Sequence, residues 1–138
     1  MMRGAELISG FLEGSSFARR LGIELRSIED DHAVLVLPYA DEELTIGDVV
    51  PGGPVSALID TAAMAAAWST IEFDRNPPPC MTVGLSVDFP APAWAAQALV
   101  ADAHVLRRGS TLCFCEVKVS GDSDDSLVAT GLVTYKLG

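Results

Sequence analysis

The sequence predicts an α+β fold in which an antiparallel sheet of five to six strands wraps around one long central helix. Val55–Ile71 runs without Gly or Pro and is apolar on nearly every face, so the helix it forms must be covered all round. After Asn76-Pro77-Pro78-Pro79, which stops helical structure, four strand-like segments follow with only short turns between them. Two more strand-like runs precede the helix, and strands joined this briefly pair antiparallel.

In chain order, residues 5–21 carry scattered apolar positions (Leu7, Ile8, Phe11, Leu12, Phe17, Leu21) interrupted by Gly10 and Gly14, which reads as one or two short helices. Ile23–Ile28 and Ala33–Leu37 are strands about the acidic turn Glu29-Asp30-Asp31, and Pro38 closes the second. A loop from Asp41 to Asp48 leads to Pro54, placed in the first helical turn, where a missing N–H is tolerated. Thr82–Phe89, Ala98–Leu106, Thr111–Val119 and Leu127–Lys136 are the later strands. Their turns are Pro90-Ala91-Pro92, Arg108-Gly109-Ser110 and Gly121–Asp125. One curled sheet leaves part of the helix bare, so a second copy of the chain is expected to hide the remainder.

At 138 residues the chain is expected to form a single domain over 1–138. Nine Lys and Arg stand against nineteen Asp and Glu, a net charge of -10, which disfavours nucleic acid and anionic membranes as partners. Val49–Ile71 holds 23 residues with one charge, the length of a membrane span. Pro51-Gly52-Gly53-Pro54 at its start, many small residues, Asp60 near its middle and acidic flanks (Asp48, Glu72) indicate a buried core helix instead. The N-terminus lacks the apolar core of a secretory signal, so a cytoplasmic location is expected. Cys80, Cys113 and Cys115 have no zinc-ligand spacing, and only His32 and His104 could assist them, so reduced thiols and no metal are expected. Cys113 and Cys115 share one strand face as packing residues, His104 reads as a structural or surface histidine, and His32 as solvated beside the acidic turn.

Asp60 is the only charge in the helix. Burying a carboxylate without a partner costs several kcal/mol, up to roughly 5, so Asp60 belongs either to a functional site or to a structural network with hydroxyls such as Ser56 and Thr61. Gly52-Gly53 lies about two turns earlier. Glycines let a ligand approach the backbone, and the first turn of a helix leaves N–H groups free for an oxyanion, although a Gly-Gly step can also be a plain turn. An acid and an oxyanion donor together suggest acyl chemistry. Met64 and Trp68, four and eight residues beyond Asp60, could line an acyl pocket or fill the core.

The stretch Pro51-Gly52-Gly53-Pro54-Val55-Ser56-Ala57-Leu58-Ile59-Asp60-Thr61-Ala62 resembles the signature of hotdog-fold thioesterases of the PaaI-like, phenylacetate-degradation type, in which His-Gly-Gly precedes an Asp. Thr82–Ala93 is similar to the following strand of that family and its exit, and His104–Leu112 to its penultimate hairpin, so the match spans roughly residues 17–138. The resemblance implies a hotdog fold and hydrolysis of an acyl-CoA thioester to free acid and CoA. Asp60 would be nucleophile or general base, the Gly52 N–H would contact the thioester carbonyl, and Thr82, from the other subunit, would place the water. Gly53, Val83 and Gly84 fall beside these positions and would bind substrate, and Arg107 and Arg108 are candidates to meet CoA phosphates, the other reading being solvated turn arginines with no partner. No cofactor is implied beyond coenzyme A as part of the substrate. A homodimer with shared active sites is implied, possibly paired into a tetramer.

Two positions depart from the family pattern: Pro51 replaces the usual His, and Thr45 stands where Asn is common. Proline supplies neither imidazole nor N–H, so the alternative is a catalytically impaired acyl-CoA-binding hotdog protein. A hotdog hydratase would need a His with an acid partner at the site, and neither histidine falls there.

Overall fold

The computed structural model describes residues 1–38 and 47–138; Thr45 lies outside the described residues. The N-terminal region folds as β1 (Met2–Arg3), α1 (Gly4–Gly14) and α2 (Ser16–Leu21). Neither Gly10 nor Gly14 divides it. The break falls at Ser15, whose hydroxyl accepts the Ala18 N–H at 3.2 Å and so caps α2. Gly22, at φ 74, ends α2 in the left-handed conformation that glycine adopts without steric cost.

β2 (Glu24–Glu29) and β3 (His32–Leu37) form the expected hairpin, with Asp31 at φ 61 in its tight turn. The central helix, α3, runs Gly52–Trp68, three residues earlier at each end than the sequence suggested. Pro54 still lies in the first turn, and the two glycines extend the helix ahead of it. At the other end the Ser69 hydroxyl donates to Ala66 O at 2.7 Å and accepts the Asp31 N–H at 2.8 Å, while β4 (Glu72–Phe73) leaves to pair with β1.

β5 (Met81–Asp88), β6 (Leu99–Arg108), β7 (Leu112–Gly121) and β8 (Leu127–Lys136) complete a six-stranded antiparallel sheet of order β2-β3-β6-β7-β8-β5. The sheet curls about α3, whose Val55, Leu58, Ile59, Ala62, Ala63 and Ala65–Ala67 have no exposed surface. Small helix residues let the strands come close: Cys115 lies buried against Ala63 O, with the buried Cys113 sulfur 3.9 Å from its own. The sheet also comes close at Gly131 of β8, where a Cβ would stand 2.6 Å from Ile59 Cγ2. Gly131→Ala should therefore overpack the helix–sheet contact and destabilise the fold by about 1–3 kcal/mol, read as a lower urea midpoint at unchanged slope.

The sheet leaves one stripe of α3 uncovered. Gly53 is exposed, and Ser56, Ala57, Asp60 and Thr61 are partly so, at the three- and four-residue spacing of a single helix face. No described helix is long and apolar enough to cross a membrane.

Candidate active site

Asp60 sits on that uncovered stripe, and Thr82 of β5 in the same chain donates its hydroxyl to Asp60 Oδ1 at 2.5 Å. Thr82 pairs with the buried Tyr135 of β8, which sets it on the helix side of the sheet, and the ladder slips just after it at Val83. The expected origin of Thr82 in a second subunit is thus corrected: strand β5 returns along the sheet edge and delivers it to Asp60 of its own chain. A purely local network is also excluded for Thr61, whose hydroxyl donates back to Ala57 O at 2.8 Å. Tyr135, missed in the sequence because nothing local distinguishes it, accepts the Trp68 indole N–H at 2.9 Å. Burial holds its hydroxyl pKa above the ordinary tyrosine value, the Trp68 hydrogen bond opposes this, and the nearby Cys80 and Asp60 add to the rise. Tyr135 therefore stays protonated beside the carboxylate at any ordinary pH.

Gly52 and Gly53 are exposed at the start of α3, where no side chain caps the helix. Pro51 occupies the N-cap position in extended conformation and offers no hydrogen-bonding side chain, so the first-turn N–H groups keep their donor capacity for a ligand. The approach to Gly52 is held by paired backbone: Val50 N–H donates to Ala93 O at 2.8 Å and Ala95 N–H to Asp48 O at 2.7 Å. This brings the residues after β5 over the helix start, and a Cβ on Gly52 would meet the Phe89 ring at 3.1 Å. Phe89 had no signal in the sequence beyond its place at a strand end.

Gly52 and Asp60 of one chain are not brought together. Eight residues of α-helix separate them, about 12 Å along the axis, whereas groups acting on one carbonyl must each come within about 3 Å of it.

The remaining expected site residues divide. Val83 is exposed on the sheet edge, and Gly84 pairs with Thr134. Met64 and Trp68 are 8% and 4% exposed and belong to the core; the Trp68 ring meets Phe11 and Phe73 edge-on at 6.0 and 5.8 Å. Arg107 is exposed at a β6 irregularity. Arg108 is occupied: it donates to Asp31 Oδ1 at 2.8 and 3.0 Å and to the helix-end carbonyls Ala67 O and Ala66 O at 2.9 and 3.3 Å. It caps α3 and ties it to the β2–β3 turn, as a cation at a helix C-terminus should. Arg108→Leu is expected to cost about 2 kcal/mol of stability by unpairing those carbonyls, with a lower denaturation midpoint and little change in KM. A ligand-binding role would give the reverse.

The arrangement can support acyl chemistry: a half-buried carboxylate, oriented by a hydroxyl, can take a proton from water or attack a carbonyl carbon, and an uncapped helix start can receive an oxyanion.

The sequence pattern of the thioesterase superfamily matches residues 47–128, a span that contains both Asp60 and Thr82. Acyl-coenzyme A thioesterase 13 of Homo sapiens is 27% identical over 134 residues, covering 96% of this chain and 93% of its own length. A thioesterase family protein of Silicibacter pomeroyi superposes with a TM-score of 0.85 at 24% identity, over 98% of this chain and 99% of its own. The PaaI protein from the phenylacetic acid degradation operon of Escherichia coli does so at 0.83 and 20% identity, over 99% and 94%. The chain belongs to the thioesterase superfamily and carries the hotdog fold of its PaaI-like enzymes.

Proposed function

We propose that the protein hydrolyses an acyl-CoA thioester to free acid and CoA, at a site made by Asp60 and Thr82 of one chain and Gly52 of a second copy. The observation that carries this reading is the Thr82–Asp60 hydrogen bond on the one stripe of α3 that the sheet leaves open. Asp60 acts on the thioester carbon either directly or by taking a proton from water, and Thr82 fixes its orientation. The carbonyl oxygen gains negative charge as the new C–O bond forms, and the Gly52 N–H receives it. The C–S bond then breaks, and the CoA thiolate leaves without a strong general acid because a thiolate is a good leaving group. Where water attacked, the free acid is the other product; where Asp60 attacked, water then hydrolyses the acyl–Asp60 anhydride to release the acid and restore the carboxylate. No cofactor takes part beyond CoA itself.

The second copy follows from distance, since the 12 Å rise within α3 puts Gly52 out of reach of a carbonyl held at its own Asp60. A symmetric dimer is the assembly this reading requires. Among the described residues β5 is an unpaired sheet edge with exposed Val83 and Leu85, and the neighbouring helix stripe is built from residues small enough for close approach, which supports such a dimer. Arg107 remains available for CoA phosphates; Arg108 does not.

The test is thiol release from a panel of acyl-CoA esters, with the acid product quantified. Equimolar acid and CoA are expected, from a species that light scattering places at a dimer or larger at micromolar concentration. Calorimetric binding of acyl-CoA without any turnover would instead establish the binding-only reading that the Pro51 replacement raises.

A further inference from the structure

On the face of the sheet turned away from α3, the cross-strand pair His32 (β3) and His104 (β6) stack their rings 4.1 Å apart and 7° from parallel. Both Nε2 atoms lie close to one oxygen. His32 Nε2 lies 2.6 Å and His104 Nε2 3.1 Å from Asp102 Oδ1, Asp102 being two residues before His104 on the same face. The alternation fixes this placement, because Ala33 and Ala103, the neighbours in sequence, are 1% and 0% exposed and point to the core.

We propose that His32, Asp102 and His104 form a surface binding site for one divalent transition-metal ion of the zinc or nickel class. Two imidazoles and a carboxylate suit such ions, and their ligand atoms lie within 4.8 Å of one another. An ion with bonds of about 2.0–2.2 Å holds neighbouring ligand atoms roughly 3 Å apart, close to the two Nε2–Oδ1 distances of 2.6 and 3.1 Å, and the half-exposed rings tilt out of their parallel stack to turn both lone pairs onto it. His32, whose Nε2 is hydrogen-bonded to Asp102 Oδ1, and His104 would each carry the ring proton on Nδ1, leaving the Nε2 lone pair for the ion. The sheet register adds charge around it: Glu29 pairs with His32 and Glu116 with His104, flanking the two rings with carboxylates, while Lys118 pairs with Asp102 and opposes them. The site is open, with side-chain exposures of 31% for His32, 50% for Asp102 and 54% for His104, so solvent can complete the coordination. The binding would tie β3 to β6 and is independent of the thioesterase reading, being on the opposite sheet face from Asp60.

The full chain, stripped with chelator, is titrated calorimetrically with Zn²⁺ and Ni²⁺ at pH 7.5, and its thermal midpoint is followed with each ion. One ion per chain is expected at pH 7.5. Binding should weaken at least about tenfold in His104→Gln and in Asp102→Asn. Both substituted side chains are half-exposed, and circular dichroism of the variants should match wild type. The absorption of a Co²⁺ complex should lack thiolate charge transfer, which separates this site from the partly buried Cys80. Absence of binding at micromolar ion, equal binding by both variants, or a thiolate signature would each overturn the proposal.

Discussion

Asp60→Asn is expected to lower kcat for acyl-CoA hydrolysis by about 10²–10⁴-fold while leaving KM and the denaturation midpoint close to wild type. The substitution keeps the shape of the side chain, and an amide oxygen can still accept the Thr82 hydroxyl, so the helix–β5 contact survives. It removes the negative charge and with it the capacity to take a proton from water or to attack carbon. Asp60 is only half-buried and lies on the open stripe, so its charge is not required by the core. A variant with wild-type kcat and a lower midpoint would show Asp60 to be structural. Thiol release under saturating substrate, beside urea denaturation of the same samples, separates the two outcomes.

Gly52→Pro is expected to lower kcat by about 10²–10³-fold, the usual effect of losing one oxyanion donor. Proline at the first helical position keeps the helix, because its fixed φ suits that position and the lost N–H has no helical partner. The preceding Pro51 already has φ -67 and ψ 165, the extended conformation that a following proline demands. The backbone should accept the change while losing a single donor. Gly52→Ala is the matched control. It retains the N–H and adds a Cβ at 3.1 Å from Phe89 Cζ, and Phe89, 49% exposed, has room to move. Its effect should be small, and equal losses for Pro and Ala would mean that crowding against Phe89, not the donor, matters.

Much of the fold was legible because it is written in local periodicity. The all-apolar helix, the acidic hairpin turn and the four late strands each appear within three residues of their predicted ends. What was not legible depends on contacts distant in sequence. Nothing near Thr82 indicates that β5 skips β6 and β7 to join β8 at the sheet edge, yet that placement gives Asp60 its hydroxyl partner within the chain. The distance between Gly52 and Asp60 follows from helical rise alone once both lie on α3, and it reverses which residue the proposed site draws from the second copy. Arg108 looks like any exposed turn arginine until the ends of α3 and of the β2–β3 hairpin meet beside it. His32 and His104 read as unrelated surface residues because only the β3–β6 register sets them opposite each other.

The site divided between two chains is tested most directly by mixing the two inactive variants. Co-expressed Asp60→Asn and Gly52→Pro chains with different tags are purified as heterodimers and assayed beside each homodimer. One of the two sites in such a heterodimer has intact Asp60, Thr82 and Gly52, while the other carries both lesions. Recovery of about half the wild-type turnover per dimer is predicted, against nearly none for either variant alone. A heterodimer as inactive as its parents would contradict the shared site.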